Sequence, residues 1–219
     1  MKPNELINDL LNFIPSVGNH EAESGELCAM EYVAFLAGEK HSDQPQCACP
    51  VISEYVRELN DKMPDKWRYK LRGYLLRLIG NRAHDNEQAR AEYLAFQVDR
   101  VFVPIAFRTA GPVDHAKAIE GAKSISELLD AADATSKAAR VAGEAALAAW
   151  FANHPDEAAI ETAMHAARAA AEAAWFAPDE VWQASLNALD GVLAIGRQAE
   201  EAPRDLERRI HAVNELMSA

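Results

Sequence analysis

Long apolar runs, strand-like alternation and net positive charge are all missing from this chain of 219 residues, and each absence removes a class of protein. A membrane-spanning helix needs about 18 apolar residues in a row, whereas the alanine tracts here are broken every few positions by Glu, Arg, His or Asp. The opening MKPNELINDLLNFIP carries Leu6, Ile7, Leu10, Leu11 and Ile14, but Glu5 and Asp9 interrupt the apolar core that a signal peptide requires. The expectation is a cytoplasmic protein with no membrane partner. Three cysteines are too few, and odd in number, for a disulfide framework. A formal charge of −12 opposes the counterion release that holds a phosphate backbone, so direct nucleic-acid binding is not expected. No Gly-rich phosphate loop, Gly-x-Ser-x-Gly elbow or HExxH pair occurs, and the balance of these absences is against an enzyme.

What is present is helical period. With 49% hydrophobic residues the chain can bury a core, and apolar positions recur at helical spacing almost throughout. The fold class expected is all-α, a helical bundle or short array of up-down alanine-rich helices. A first helix is predicted from Asn4 to about Ile14, ending at Pro15. A second should start near Ser24 and stop at Gly38, and a third should have Pro50 in its first turn and reach about Leu59. A run from about 86 to 109 contains Pro104, which should kink it or end it early. Residues 1–82 are read as an N-terminal helical module with a Cys/His loop, and 83–219 as an alanine-rich helical bundle.

Charge is unevenly spread. Residues 62–82 hold seven bases against Asp65 alone, while both flanks are acidic. Lys66, Arg68, Lys70 and Arg72 alternate with Trp67, Tyr69 and Leu71 in what should be one amphipathic helix from about 65 to 80, ended by Gly80-Asn81. Those four cations are candidates for gripping an acidic partner or phosphate; the competing and favoured reading is a solvated face that pairs with acidic neighbours in the same chain.

From 110 to 177, 26 of 68 residues are alanine, which builds helices well but buries little area per residue. An internal echo runs through this region: AARVAGEAALAAWF at 138–151 and AARAAAEAAWF at 166–176, each followed by Pro-Asp-Glu. Trp-Phe should end one helix of each unit and Pro-Asp-Glu begin the next, giving helices of about 20–25 residues. The recurring Trp150-Phe151 and Trp175-Phe176 read as core anchors.

Potential site chemistry concentrates between Cys28 and Pro50, CAMEYVAFLAGEKHSDQPQCACP. Cys28, His41, Cys47 and Cys49 could form a Cys3His zinc site, with Glu31 or Asp43 orienting the imidazole, although C-x-C is tighter than the usual zinc knuckle. Buried structural thiols and a polar-anchored loop account for the same residues and are favoured, so no cofactor is favoured and zinc is kept as the alternative. A Cys28–Cys47 or Cys28–Cys49 disulfide, and a nucleophilic cysteine paired with His41 with Glu31 as base, are further alternatives.

The run Cys28-Ala29-Met30-Glu31, Ala37-Gly38-Glu39, His41-Ser42-Asp43, Pro45, Cys47 and Pro50-Val51-Ile52 resembles the N-terminal segment of a family of uncharacterised proteins from bacteria and their phages, which often carry a long alanine-rich tail. That resemblance implies no activity. Gln97 to Ile105, Asp114 to Lys123 and the Ala-Ala-Arg units around Arg140 and Arg168 with His165 resemble helical repeats in immunity proteins of polymorphic toxin systems, which implies neutralisation of a toxin by binding. Three functions are therefore carried forward: a non-enzymatic protein that binds a protein partner through an acidic helical surface, as a phage anti-defence or immunity-type inhibitor; a zinc- or thiol-dependent enzyme centred on Cys28–Cys49; and a structural or assembly protein, for which a homo-oligomer is left open.

Overall fold

Alanine decides where the centre of the molecule lies. In a computed structural model, which describes residues 12–82, 84–110, 125–153 and 159–196, the described residues form helices and turns without a strand, and the fold is all-α. The helices are α1 (Ala29–Ala37), α2 (Pro50–Lys62), α3 (Asp65–Arg68), α4 (Leu75–Leu78), α5 (Glu87–Gln97), α6 (Val103–Ala110), α7 (Ile125–Ala152), α8 (Ala159–Ala173) and α9 (Pro178–Ala194). The middle of the packing is α8, which lies against α7, α2, α5 and α9. Its Ala163, Ala166, Ala167, Ala169, Ala170 and Ala173 are all fully buried. Methyl side chains let neighbouring backbones come close, so one helix can serve several partners. The apolar bulk comes from those partners: Ile52, Tyr55 and Leu59 of α2, Leu94 of α5, and Leu189 and Leu193 of α9 are wholly buried. Each such side chain contributes roughly 1.5–3 kcal/mol by leaving water.

One contiguous core therefore draws on both sides of the 82/83 division. Helices α7, α8 and α9 span 28, 15 and 17 residues rather than an even 20–25. Pro178 occupies the first turn of α9, as the echo predicts. Pro155, its counterpart in the first unit, and the expected helix from Asn4 to residue 11 lie outside the described residues.

Several local expectations are corrected. The second helix starts at Ala29, not near Ser24, whose hydroxyl is engaged with Glu26 in a local turn. Its end is as predicted, with Gly38 at φ 71°, a left-handed conformation suited to glycine. The third helix begins with Pro50 and runs three residues further than expected, to Lys62. The basic helix is broken into α3, a 3-10 turn over Tyr69–Gly73 and α4, although Trp67, Leu71, Leu75 and Leu78 still share the buried side. Gly73, a poor helix former, sits where the 3-10 turn gives way.

Pro104 acts through the turn before it. Val98–Phe102 forms a π-helical turn, and the Val103 amide donates to the Val98 carbonyl five residues back. Proline has no N–H to continue the α ladder and its ring crowds the preceding carbonyls, so the widened turn absorbs the conflict and α6 continues beyond it. The tryptophans of the echo are not core anchors. Trp150 is 55% exposed near the end of α7, and Trp175 is 64% exposed just beyond the end of α8, with Lys137 of α7 over its ring. The adjoining phenylalanines do the anchoring, Phe151 stacked on His165 at 5.4 Å and Phe176 packed against the core.

Candidate functional site

Cys28 and Glu31 build the start of α1 between them. The Cys28 sulfur accepts from the Glu31 amide at 3.4 Å, and the Glu31 carboxylate returns to accept from the Cys28 amide at 2.7 Å. This is a capping box with a thiol in the place usually taken by Ser or Thr. The carboxylate is only 1% exposed and takes two further hydrogen bonds, from the His20 amide at 2.6 Å and from His20 Nδ1 at 2.9 Å. Burial pushes its pKa up, but the hydrogen bonds from Cys28 and His20 outweigh burial and hold it below the ordinary glutamate value.

His41 joins from the following loop. Its Nε2 lies 2.6 Å from the His20 carbonyl and 3.5 Å from Glu31 Oε1. Two segments distant in sequence, 19–26 and 39–42, are thus tied to one buried carboxylate. Burial raises the Cys28 thiol to about 12, with the adjacent Glu31 charge adding to it, so at neutral pH Cys28 is a neutral thiol that accepts a hydrogen bond.

The other signature residues make separate ties. Cys49 is buried at the N-cap of α2, with its amide donating to Asn81 Oδ1 at 2.7 Å, and the Cys47 carbonyl accepts from Gly80 at 2.9 Å. The half-buried Cys47 thiol is raised by burial and by Glu39. Asp43 pairs with Arg57 at 3.3 Å. All three cysteines are free thiols. Glu31 and His41 therefore come together, joined by His20, which no motif singles out; Cys28 shares the carboxylate, while Cys47, Cys49 and Asp43 belong to other contacts. Among the described residues no group of three or more His, Cys, Asp or Glu side chains is placed to hold a metal ion. A lone His in a loop gives no signal of a buried carboxylate eleven residues on, so His20 is not legible from spacing.

The basic segment is clamped to its own chain. Lys66 Nζ and Trp67 Nε1 meet Asp179 at 2.8 and 3.1 Å, while Arg77 and Tyr74 meet Asp190 at 2.5 and 3.1 Å. Asp179 and Asp190 are eleven residues apart on α9, three helical turns, and so present one acidic edge to the segment. Burial and the Asp190 charge push the Tyr74 phenol up to about 12. Arg68 turns inward instead, donating to the Asn60 and Met63 carbonyls at 2.7 Å and covering the C-terminus of α2. Lys70 lies 3.7 Å over the Trp67 ring, and Arg72 5.3 Å over Tyr69.

The internal echo has a geometric meaning that its sequence does not disclose. Arg140 and Glu144 in the first unit correspond to Arg168 and Glu172 in the second, and α7 and α8 bring the two sets together. Arg140 Nε donates to Glu172 across the helix pair at 2.9 Å. Arg168 feels the Glu144 charge but bonds Glu58 of α2 at 3.0 Å, and Glu144 takes His165 Nδ1 at 2.7 Å. The repeat of Arg-x-x-x-Glu at matching positions is the available signal. No protein-family profile, curated protein or solved structure matches this chain.

Proposed function

We propose that the protein is a non-enzymatic binding protein that engages a basic protein partner through an acidic surface. One observation carries this: carboxylates cluster on the exposed surface of the described residues, while seven of the cations are already paired within the chain. Arg57, Lys66, Arg68, Arg77, Arg108, Arg140 and Arg168 are each held by a carboxylate of the same chain. Among the described residues, Glu21, Glu23 and Glu26 lie together on one exposed turn, and Glu92 of α5 and Asp99 of the π-helical turn that follows it are exposed as well. Such a field steers a positively charged partner and rejects phosphate backbones.

The signature segment supports the same reading from the other side. Cys28 is a neutral buried thiol, burial and Glu39 raise the Cys47 thiol as well, and the candidate base, Glu31, is saturated with hydrogen bonds. The likeness of the Ala-Ala-Arg units to immunity proteins favours an inhibitor among acidic binders. The test is affinity capture from a native lysate at low and high salt, using wild type and a Glu21→Lys/Glu23→Lys/Glu92→Lys/Asp99→Lys variant. A partner held at low salt, released at high salt and lost by the variant is expected. Recovery of no partner in either salt, or equal recovery by the variant, would overturn the proposal.

A further inference from the structure

Helix α7 is apolar on two opposite sides, and the core takes up one of them. Val141, Ala145 and Ala148 are buried against the rest of the chain. On the opposite side Ser136, Ala139, Gly143, Ala146 and Trp150 are exposed at helical spacing, and Leu147 beside them is 43% exposed. The charged residues between 136 and 152 all turn away from that strip. Arg140 and Glu144 reach Glu172 and His165 of α8, and Lys137 is buried over the Trp175 ring. A helix that is apolar all round belongs between partners rather than on a surface. We propose that this outer face of α7 is the contact of a homodimer, in which α7 of one copy lies antiparallel on α7 of a second copy, crossing at Gly143.

Gly143 is the first reason. Glycine weakens a helix interior, and neither usual ground for it holds here: its φ is not positive, and a methyl group built there would meet no other part of the described chain within 4 Å. Nothing inside the molecule requires the missing side chain, whereas a second backbone approaching from outside does. The order of sizes along the strip is the second reason. Gly143 lies midway between Ser136 and Trp150, and midway between Ala139 and Leu147. An antiparallel pair with its two-fold axis at Gly143 therefore sets each Trp150 over the other copy's Ser136 and each Leu147 over Ala139, so every large side chain meets a small one. A parallel pair would stack Trp150 on Trp150 and hold the alanines apart. Charge selects the occupant. A basic protein is drawn to exposed carboxylates, while a second copy, also at −12, is repelled by the acidic faces and settles where charge is absent. One helix face is smaller than the about 800 Å² per partner of a standard interface, so the dimer is expected to be weak.

The strip holds none of the acidic residues assigned to the partner, so this test and that of the partner proposal fail separately. The experiment is sedimentation velocity with light scattering on the full chain, from about 1 to about 500 μM. A reversible dimer with Kd of roughly 20–500 μM is expected. Gly143→Glu sets two like charges at the axis and should raise that Kd by about tenfold or more. Its melting temperature at low concentration should stay the same or rise, because Glu is a better helix former than Gly and the position faces open space. Under mild oxidation Gly143→Cys should give a disulfide-linked dimer well above the wild-type background. Ser136→Cys should not, since in the antiparallel pair its two copies lie about 21 Å apart along the helices. A monomer at every concentration, which would leave this face to a different protein, overturns the proposal. Undiminished dimerisation of Gly143→Glu, or crosslinking of Ser136→Cys as readily as Gly143→Cys, overturns it equally.

Discussion

Replacing Glu31 with Gln keeps the shape of the side chain and removes its charge, which isolates what the buried carboxylate does. Both oxygens accept from backbone amides, Oε2 from Cys28 and Oε1 from His20, and Oε2 also faces His20 Nδ1. Whichever way the new side-chain amide turns, its NH2 meets one of those backbone donors, so at least one buried N–H is left without an acceptor. That costs about 1–3 kcal/mol, and the surviving bonds lose the strengthening that charge supplies, about 1 kcal/mol more. The expected loss for Glu31→Gln is therefore about 2–4 kcal/mol, a lowering of Tm by roughly 4–16 °C for a chain of this size. The measurement is urea unfolding at pH 7 followed by circular dichroism. The pH dependence supplies a second check with a definite sign. A carboxyl held below its unfolded value contributes stability that is complete above that value, near 4.3, and is lost as pH falls through the folded value. The gap between wild type and Glu31→Gln should accordingly be widest at neutral pH and narrow as acidification passes through the lowered folded value of the carboxyl. A loss under about 0.5 kcal/mol, or a gap that widens on acidification, would refute the assignment of Glu31 as the charged tie of this segment.

Three further outcomes test other parts of the structure. Ala170→Leu, at a fully buried position of α8, should destabilise by about 1–3 kcal/mol or more in the same assay, because the added carbons have no room beside a helix packed on several sides. Labelling with a disulfide reagent at pH 8 under native conditions should modify Cys47 first, since Cys28 and Cys49 are buried and burial puts the Cys28 thiol near 12; Cys28 reacting first would contradict the capping geometry. Acrylamide should quench Trp150 and Trp175 and spare Trp67 and Trp182, so a Trp150→Phe/Trp175→Phe protein should show little quenching before unfolding, and strong quenching of it would contradict the exposed placement of the two rings.

The parts of this fold that can be read in advance are those set by backbone chemistry alone. Gly38 and Pro50 mark helix boundaries because left-handed φ and a missing N–H depend on no distant neighbour, and Pro178 does the same for α9. Cys28 as an N-cap is hidden because Ser24 is the more usual capping residue, and only the returning Glu31 carboxylate makes the thiol the better choice. Glu31 itself resembles an outer partner of a metal; its real partner is His20, brought in by a turn whose course periodicity does not encode. Trp150 and Trp175 mislead because repetition is not burial: the repeat fixes only their place at helix ends. The Arg-x-x-x-Glu echo is visible, but that Arg140 reaches Glu172 depends on the direction in which α8 returns beside α7.

The central position of α8 also sets an order of events at the ribosome. Helix α2 ends at Lys62 and α8 begins at Ala159, so roughly 100 residues separate two faces that bury each other, and synthesis at about 5–20 residues per second leaves the apolar side of α2 waiting some 5–20 s for its cover. Val56, Leu59 and Tyr55 would meet water, or a chaperone, through that interval. A chain arranged this way completes its core late in translation, and slower synthesis between α2 and α8 should lower the yield of native protein more than slowing elsewhere.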